Sequence, residues 1–574
     1  MGRAAQRPVA GPGCAVGLPL AAPTRTKETP VTDCDLLLRG GTIYDGCGGP
    51  PQRADLALAG ERILALTAPD EDVKAARVLD VDGLAVAPGF INMLSWSNES
   101  LIEDGRSQSE IRQGVTLEVM GEGESMGPLS PAMKESGPGS YMSQGDILYD
   151  VEWTTLGEYL EWLVARGVAC NVASFVGSST LRIHAMGREN RAPTDAELEE
   201  MKRLLRGALR EGAMGMSAAL IYAPACFAAT DELIELARVV AEHDAMYISH
   251  IRNEGGDLLE AVEELVTIAR ETGVTAEIYH LKASGAANWH RMEGAIAAVE
   301  AARAGGLPVT ADMYSYTYSG TGLDTCIPPW AHEGGIMALI ARLRDPDIRA
   351  RLVAEMTRPG GDWENRALML PPQNILLAGL HKPEMQHLQG VTLAEIMQQR
   401  GSDSAAETLI DLIIEDDSRI FTMYFAMDED NLRRQVQLPW VSFCSDAESQ
   451  APQGVFLNNI PHPRAYGSFA RVLGKYVRDE GLLTLEEAVR KLSGFPAQNL
   501  KLRGRGLLRP GYFADVVVFD PAQVQDHATP QDPHRYATGM QQVFVNGRQV
   551  LRDGEHTGAL PGQVLRGPGW TGWR

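Results

Sequence analysis

Ala245-Met-Tyr-Ile-Ser-His250 and Thr275-Ala-Glu-Ile-Tyr-His280 decide the reading of this chain. Each is a short apolar run that closes on a histidine, with one amphipathic stretch, Asp257 to Glu271, between them. In that stretch Leu258, Leu259, Val262, Leu265, Val266 and Ala269 recur at helical spacing. A β-α-β unit of this kind is parallel, so both histidines fall at one rim of a parallel sheet. In a closed barrel that carboxyl-end rim is where the chemistry sits. Two neutral imidazoles facing one point are also the beginning of a metal site.

The same pattern extends in both directions. Apolar runs near 84–94, 114–121, 169–177, 213–219, 308–316 and 439–446 bring the strand count to eight. Glu197–Arg210 and Met292–Ala302 supply further amphipathic helices. The fold class is therefore α/β, with a (β/α)8 TIM-type barrel over about 84–499. Two regions break the alternation. Residues 34–83 are strand and turn, and residues 500–574 match them with Gly511-Tyr-Phe-Ala-Asp-Val-Val-Val-Phe-Asp520 and a hairpin around Asn546-Gly547. The two ends are expected to build one flanking β-sandwich. Residues 317–438 are too long for a single crossover and predict an inserted, largely helical subdomain, a common origin of lids. Residues 1–33, rich in Pro, Gly and Ala, read as a disordered leader.

Composition narrows the partners. Of 574 residues, 44% are hydrophobic and 22% charged, as in a soluble globular protein. With 75 acidic and 52 basic side chains the formal charge is −23, which argues against nucleic acid or an anionic membrane as partner. A small-molecule substrate remains, and a homo-oligomer is left open. No apolar run is long enough for a membrane span. The seven cysteines are scattered without a CxxC, which suggests reduced thiols and a cytoplasmic location.

Several segments together resemble the amidohydrolase superfamily, and within it the N-acyl-D-amino-acid deacylase (D-aminoacylase) branch. They are Ala87-Pro-Gly-Phe-Ile-Asn92, Gly215-Met-Ser217, Ile221-Tyr-Ala-Pro224, Ser249-His-Ile-Arg-Asn-Glu254, Tyr279-His-Leu-Lys282, Asp312-Met-Tyr-Ser-Tyr316, Ser445-Asp446, Pro461-His-Pro-Arg464 and the terminal Gly511–Asp520 run. Singly most are weak; their shared order from about 35 to 565 makes them specific. One departure is large. The family opens its first strand with a His-x-His pair, and Leu94 and Trp96 stand there instead. Neither can ligate a metal, so a binuclear site of the usual kind cannot form from these positions. The family's second-strand cysteine also lacks a direct counterpart. Counting back from Pro128 places Glu122 there, and counting forward from Gly114 places Gly123; Glu122 is preferred and Glu124 is the fallback.

The resemblance implies a metal-dependent hydrolase of linear amides, most simply an N-acyl-D-amino acid deacylase. Glu122, His250 and His280 would hold one Zn²⁺, or another divalent ion such as Fe²⁺ or Mn²⁺. Zinc would bring the pKa of a bound water to about 7. Asp446 is implied as general base and proton shuttle. Lys282, Tyr314 and Arg464 are implied to bind substrate, the guanidinium gripping a carboxylate through paired hydrogen bonds. Trp96 would wall the pocket. The family's serine beyond Tyr314 falls on Gly320, beside Ser319, and Arg252 with Glu254 read as a supporting ion pair. Two other readings stand beside this one: hydrolysis of a cyclic amide, an imide or a D-peptide, and an inactive barrel used for binding or assembly.

Overall fold

The computed structural model describes residues 32–69, 71–136, 147–361 and 363–573. Eight parallel strands form the barrel: β1 (Phe90–Asn92), β2 (Val115–Met120), β3 (Asn171–Ser174, resuming at Val176–Gly177), β4 (Gly215–Ala219), β5 (Met246–His250), β6 (Thr275–Ile278), β7 (Val309–Met313) and β8 (Val441–Phe443). Neighbours pair in sequence order from β1 to β3 and from β3 to β8. The ring closes where β8 meets β1. Asp446 N–H donates to the Leu94 carbonyl at 2.9 Å, and Ser95 bridges Ala447 in parallel register.

Outer helices lie where periodicity puts them. Asp195–Glu211 starts at a capping box formed by Thr194 and Glu197 and ends at left-handed Gly212. It turns Met201, Leu204, Leu205, Ala208 and Leu209 onto the barrel. Leu258–Thr272 buries Leu258, Ala261, Val262, Leu265, Val266 and Ala269 and stops at Gly273. Truncating one such leucine to alanine removes about 2–5 kcal/mol of stability.

Two sequence expectations are corrected. The run at 84–94 is two strands: Ala85–Pro88 belongs to the flanking sheet and only Phe90–Asn92 to the barrel. Gly89 marks the break, since a Cβ there would lie 2.0 Å from Thr116 Oγ1. The leader does not reach residue 33, because Thr32 and Asp33 already pair with Val73 and Lys74; residues 1–31 lie outside the described residues. The insertion is mostly helix and also carries a small sheet. Ser319–Gly322, Ile375–Gly379 and Phe421–Tyr424 form a three-stranded antiparallel sheet beside its helices. It has its own apolar core, with Leu339, Ile340, Leu377, Leu409 and Ile413 buried.

The flanking domain joins both chain ends. Val516–Phe519 pairs antiparallel with Ala85–Pro88, and among the described residues nine strands share one hydrogen-bonded sheet. Alternate residues pack its two faces: Leu36, Leu38, Leu56 and Val516 on one, Leu37, Ala57 and Val73 on the other.

Candidate metal centre and amide-binding site

Three side chains converge at the carboxyl rim. Glu122, His250 and His280 each offer one donor atom, and these atoms lie within 4.8 Å of one another. Glu122 Oε1 is 3.1 Å from His280 Nε2 and 3.3 Å from His250 Nδ1. The two ring nitrogens face each other at 2.9 Å. All three residues are buried, at 2–4% exposure.

Backbone geometry aims each of them. Glu122 follows β2 between Gly121 and Gly123, both with positive φ. At Gly121 a Cβ would lie 2.3 Å from the Phe175 carbonyl, so only glycine lets the chain pass β3 and turn Glu122 inward. Ser217 of β4 locks this turn, donating to the Gly121 carbonyl and accepting from Gly123 N–H. His250 ends β5. His280 lies two residues beyond β6, in left-handed backbone at φ 34°, with its N–H on Asp312 Oδ1 at 2.7 Å. The expectation that strand β6 runs to His280 is thus corrected: the strand ends at Ile278.

Lys282 is nevertheless at the cluster. Its Nζ lies 2.6 Å from both Glu254 Oε1 and His280 Nδ1. Glu254 Oε1 is also 3.1 Å from His280 Nδ1. With that nitrogen protonated toward Glu254 and a cation in place of the Nε2 proton, Nε2 would present its lone pair to the shared point, the usual second-layer support of a metal-binding imidazole. Arg252 does not pair with Glu254 as expected; it grips Glu264. Glu254 is held instead by Lys282 and, from the insertion, by Arg366 at 3.6 Å, while Glu364 accepts from its backbone N–H at 2.7 Å. Glu364 and Arg366 carry no signal in the sequence that ties them to the barrel.

Electrostatics favour charged forms here. Burial opposes ionisation of Glu122, but the two imidazoles beside it outweigh burial and hold its pKa at about 2. Burial opposes ionisation of Glu254 too, and Lys282 above all holds it well below the usual carboxylate range. Burial and Lys282 act to lower His280, yet Asp446, Glu122 and Glu254 raise it to about 9. The donor set fits a divalent cation. Three buried donors point at one another, and at most one of the facing nitrogens can carry the proton between them. A cation satisfies all three at once. Glu124 stands apart, paired with Arg188 at 3.3 Å.

Across the rim, Asp446 lies beyond β8 at φ 50°. Its Oδ1 accepts from the Trp96 indole N–H at 3.0 Å, and its Oδ2 accepts from Arg464 Nη1. Arg464 also donates Nη2 to the Gly320 carbonyl at 3.3 Å, while its Nε is without a hydrogen-bond partner among the described residues. Its guanidinium lies over the Tyr314 ring, 4.7 Å from the centroid, and Tyr314 OH contacts Met427 Sδ at 3.5 Å. His462, to which the sequence reading gave no role, accepts the Arg464 backbone N–H at Nδ1 and meets the Tyr318 carbonyl at Nε2. Burial and then Arg464 push its pKa well down, so it stays neutral. A cavity of about 1420 Å³ between barrel and insertion approaches the cluster at Tyr222 and Arg366. The Tyr222 ring is 5.5 Å from that of His250.

Comparison with known proteins identifies the family. Residues 77–551 match the model of the Amidohydrolase family. The chain is 35% identical over 537 residues to a D-aminoacylase of Alcaligenes xylosoxydans xylosoxydans, covering 92% of this chain and 97% of that one. It belongs to the amidohydrolase family, in the D-aminoacylase branch. An N-acyl-D-glutamate deacylase of the same organism is also 35% identical, covering 93% of this chain and 96% of the relative. Among solved structures, a D-aminoacylase superposes with a TM-score of 0.77 at 33% identity, covering 93% of this chain and all of that one. The N-acyl-D-glutamate deacylase of Bordetella bronchiseptica, complexed with zinc and a phosphonate mimic of the tetrahedral intermediate, gives 0.76 at 33% identity with the same coverage. Another D-aminoacylase structure concerns a binuclear metal centre with one-metal activation and second-metal attenuation. The chain is thus a metal-dependent amide hydrolase. Among the described residues no helix is long and apolar enough to cross a membrane.

Proposed function

We propose that this enzyme deacylates N-acyl-D-amino acids with one divalent metal, zinc in the simplest case, held by Glu122, His250 and His280. The observation that carries the reading is the convergence of those three buried donors, with the Asp446 carboxylate close enough to raise His280 electrostatically. One metal rather than two follows from Leu94 and Trp96, which offer no ligand atom where the family's first strand carries histidines. A bound cation supplies Lewis acidity, polarising the amide carbonyl and making water acidic enough to lose a proton near neutral pH.

The chain's own groups do the rest. Asp446 accepts the proton from the attacking water and returns it to the leaving nitrogen as the C–N bond breaks. Arg464, through its Nε edge, orients the substrate carboxylate, and Tyr314 lies under the same guanidinium. Lys282 is committed to Glu254, so its first task is to hold that carboxylate against His280. Substrate enters from the cavity past Tyr222. The scattered cysteines, none disulfide-bonded among the described residues, support a reducing cytoplasmic setting.

The test is metal content per chain together with a panel of N-acetyl D- and L-amino acids, D-dipeptides, hydantoins and imides, each with and without chelator. Chelator-sensitive cleavage of N-acetyl-D-amino acids is expected. Preference for the cyclic amides would replace this reading with the cyclic-amide one.

A further inference from the structure

The mechanism gives Trp96 no task, yet among the described residues its indole is one of two donors on the Asp446 carboxylate. The contact is built in. The Trp96 backbone N–H donates to the Ala447 carbonyl at 2.9 Å and Asp446 N–H donates to the Leu94 carbonyl at 2.9 Å, so one stretch of barrel closure fixes both side chains. The indole itself is 4% exposed and packs with Ala219 and Tyr222. It cannot swing away without opening that cluster.

An indole N–H is a donor only. It neither takes a proton nor ligates a metal, and it carries no charge. Against Asp446 it does one thing: it occupies Oδ1 from a fixed direction. Arg464 occupies Oδ2 from another direction and supplies the positive charge. Two donors on different elements set the plane of the carboxylate, which one donor alone cannot do. A tryptophan serving only to fill the space of a missing histidine would have no reason to present this edge.

We propose that Trp96 is a positioning residue, whose indole N–H fixes the Asp446 carboxylate for proton transfer and keeps it outside the metal's ligand set. This rests on the shuttle role of Asp446 in the deacylase reading.

The test uses the full-length, zinc-loaded enzyme and N-acetyl-D-leucine, or whichever N-acetyl-D-amino acid of the panel turns over fastest. Trp96→Phe, and replacement by 3-benzothienylalanine, which keeps the bicyclic shape but has sulfur for N–H, should each lower kcat by about 10- to 100-fold, as expected for losing a hydrogen bond to a charged group. KM should stay within about threefold, and metal per chain should not change. Incorporation of 5-fluorotryptophan, which retains the N–H, should keep kcat near wild type. Unchanged kcat in the benzothienyl protein would overturn the proposal, as would a loss explained by missing zinc. A second readout needs no turnover. The indole ¹⁵N–¹H signal of Trp96, assigned by its absence in Trp96→Phe, should shift in Asp446→Ala; an unmoved signal overturns the bond. If wild type cleaves no amide while that signal does move, the deacylase reading fails and takes the positioning role with it, but the bond stands, so the two failures are distinguishable.

Discussion

The two sides of the barrel rim share a backbone plan and differ in chemistry. On the β5–β6 side, strand ends carry His250 and His280, and Glu122 comes across from β2 to meet them. On the β1–β8 side, the same kind of strand end carries Leu94, Trp96 and Asp446, and the polar contact is indole to carboxylate to guanidinium. In the proposed reading the first side offers its lone pairs to a cation. The second is complete without one, because each Asp446 oxygen already has a donor. The comparison teaches that loss of a histidine pair need not mean loss of function at that position. Coordination can give way to orientation.

Substitutions separate the two sides. The largest effect is expected from His250→Ala, which should abolish zinc binding, measured as metal per chain, and bring amide cleavage below detection. Retention of stoichiometric zinc would break the division of labour. Next, Asp446→Asn should lower kcat by about 10²–10⁴-fold, the usual worth of a general acid–base group, while zinc content is unchanged; if zinc is lost as well, Asp446 is a ligand and the sides are one site. Glu254→Gln should weaken zinc about 10- to 100-fold in competition with a chromogenic chelator, the typical cost of removing support behind a ligand imidazole. Smallest is Arg464→Lys. A point charge cannot serve Asp446, Gly320 and a substrate carboxylate together. Its kcat/KM should fall about tenfold, consistent with one charged hydrogen bond lost.

The barrel was legible because its signal repeats. Each apolar run followed by an amphipathic helix confirms the previous one, and the histidines closing two runs stand out against that background. Glu122 was reachable because the distance to Pro128 could be counted. What was not legible has no local trace. Nothing near Trp96 in the sequence announces Asp446, since only closure of the ring brings residue 96 to residue 446. Arg366 reaches Glu254 from an insertion with its own core, and the short strands of that insertion carry too few residues to show alternation. Arg252 and Glu254 look like partners because they are close in sequence, but Arg252 instead meets Glu264 on the following helix while Glu254 turns to Lys282. The strand at 84–94 looked continuous because both halves are apolar; only the close approach at Gly89 divides it.

That division matters during synthesis. Ala85–Pro88 leads directly into the barrel's first strand, and one of its sheet neighbours is Val516–Phe519, near the other end of the chain. A ribosome therefore exports an open strand edge early and delivers its cover much later. Such an edge is a template for pairing with other chains until it is covered. Nascent chains released before residue 516 should be held by chaperones or aggregate, even though every residue of the rim has already been made.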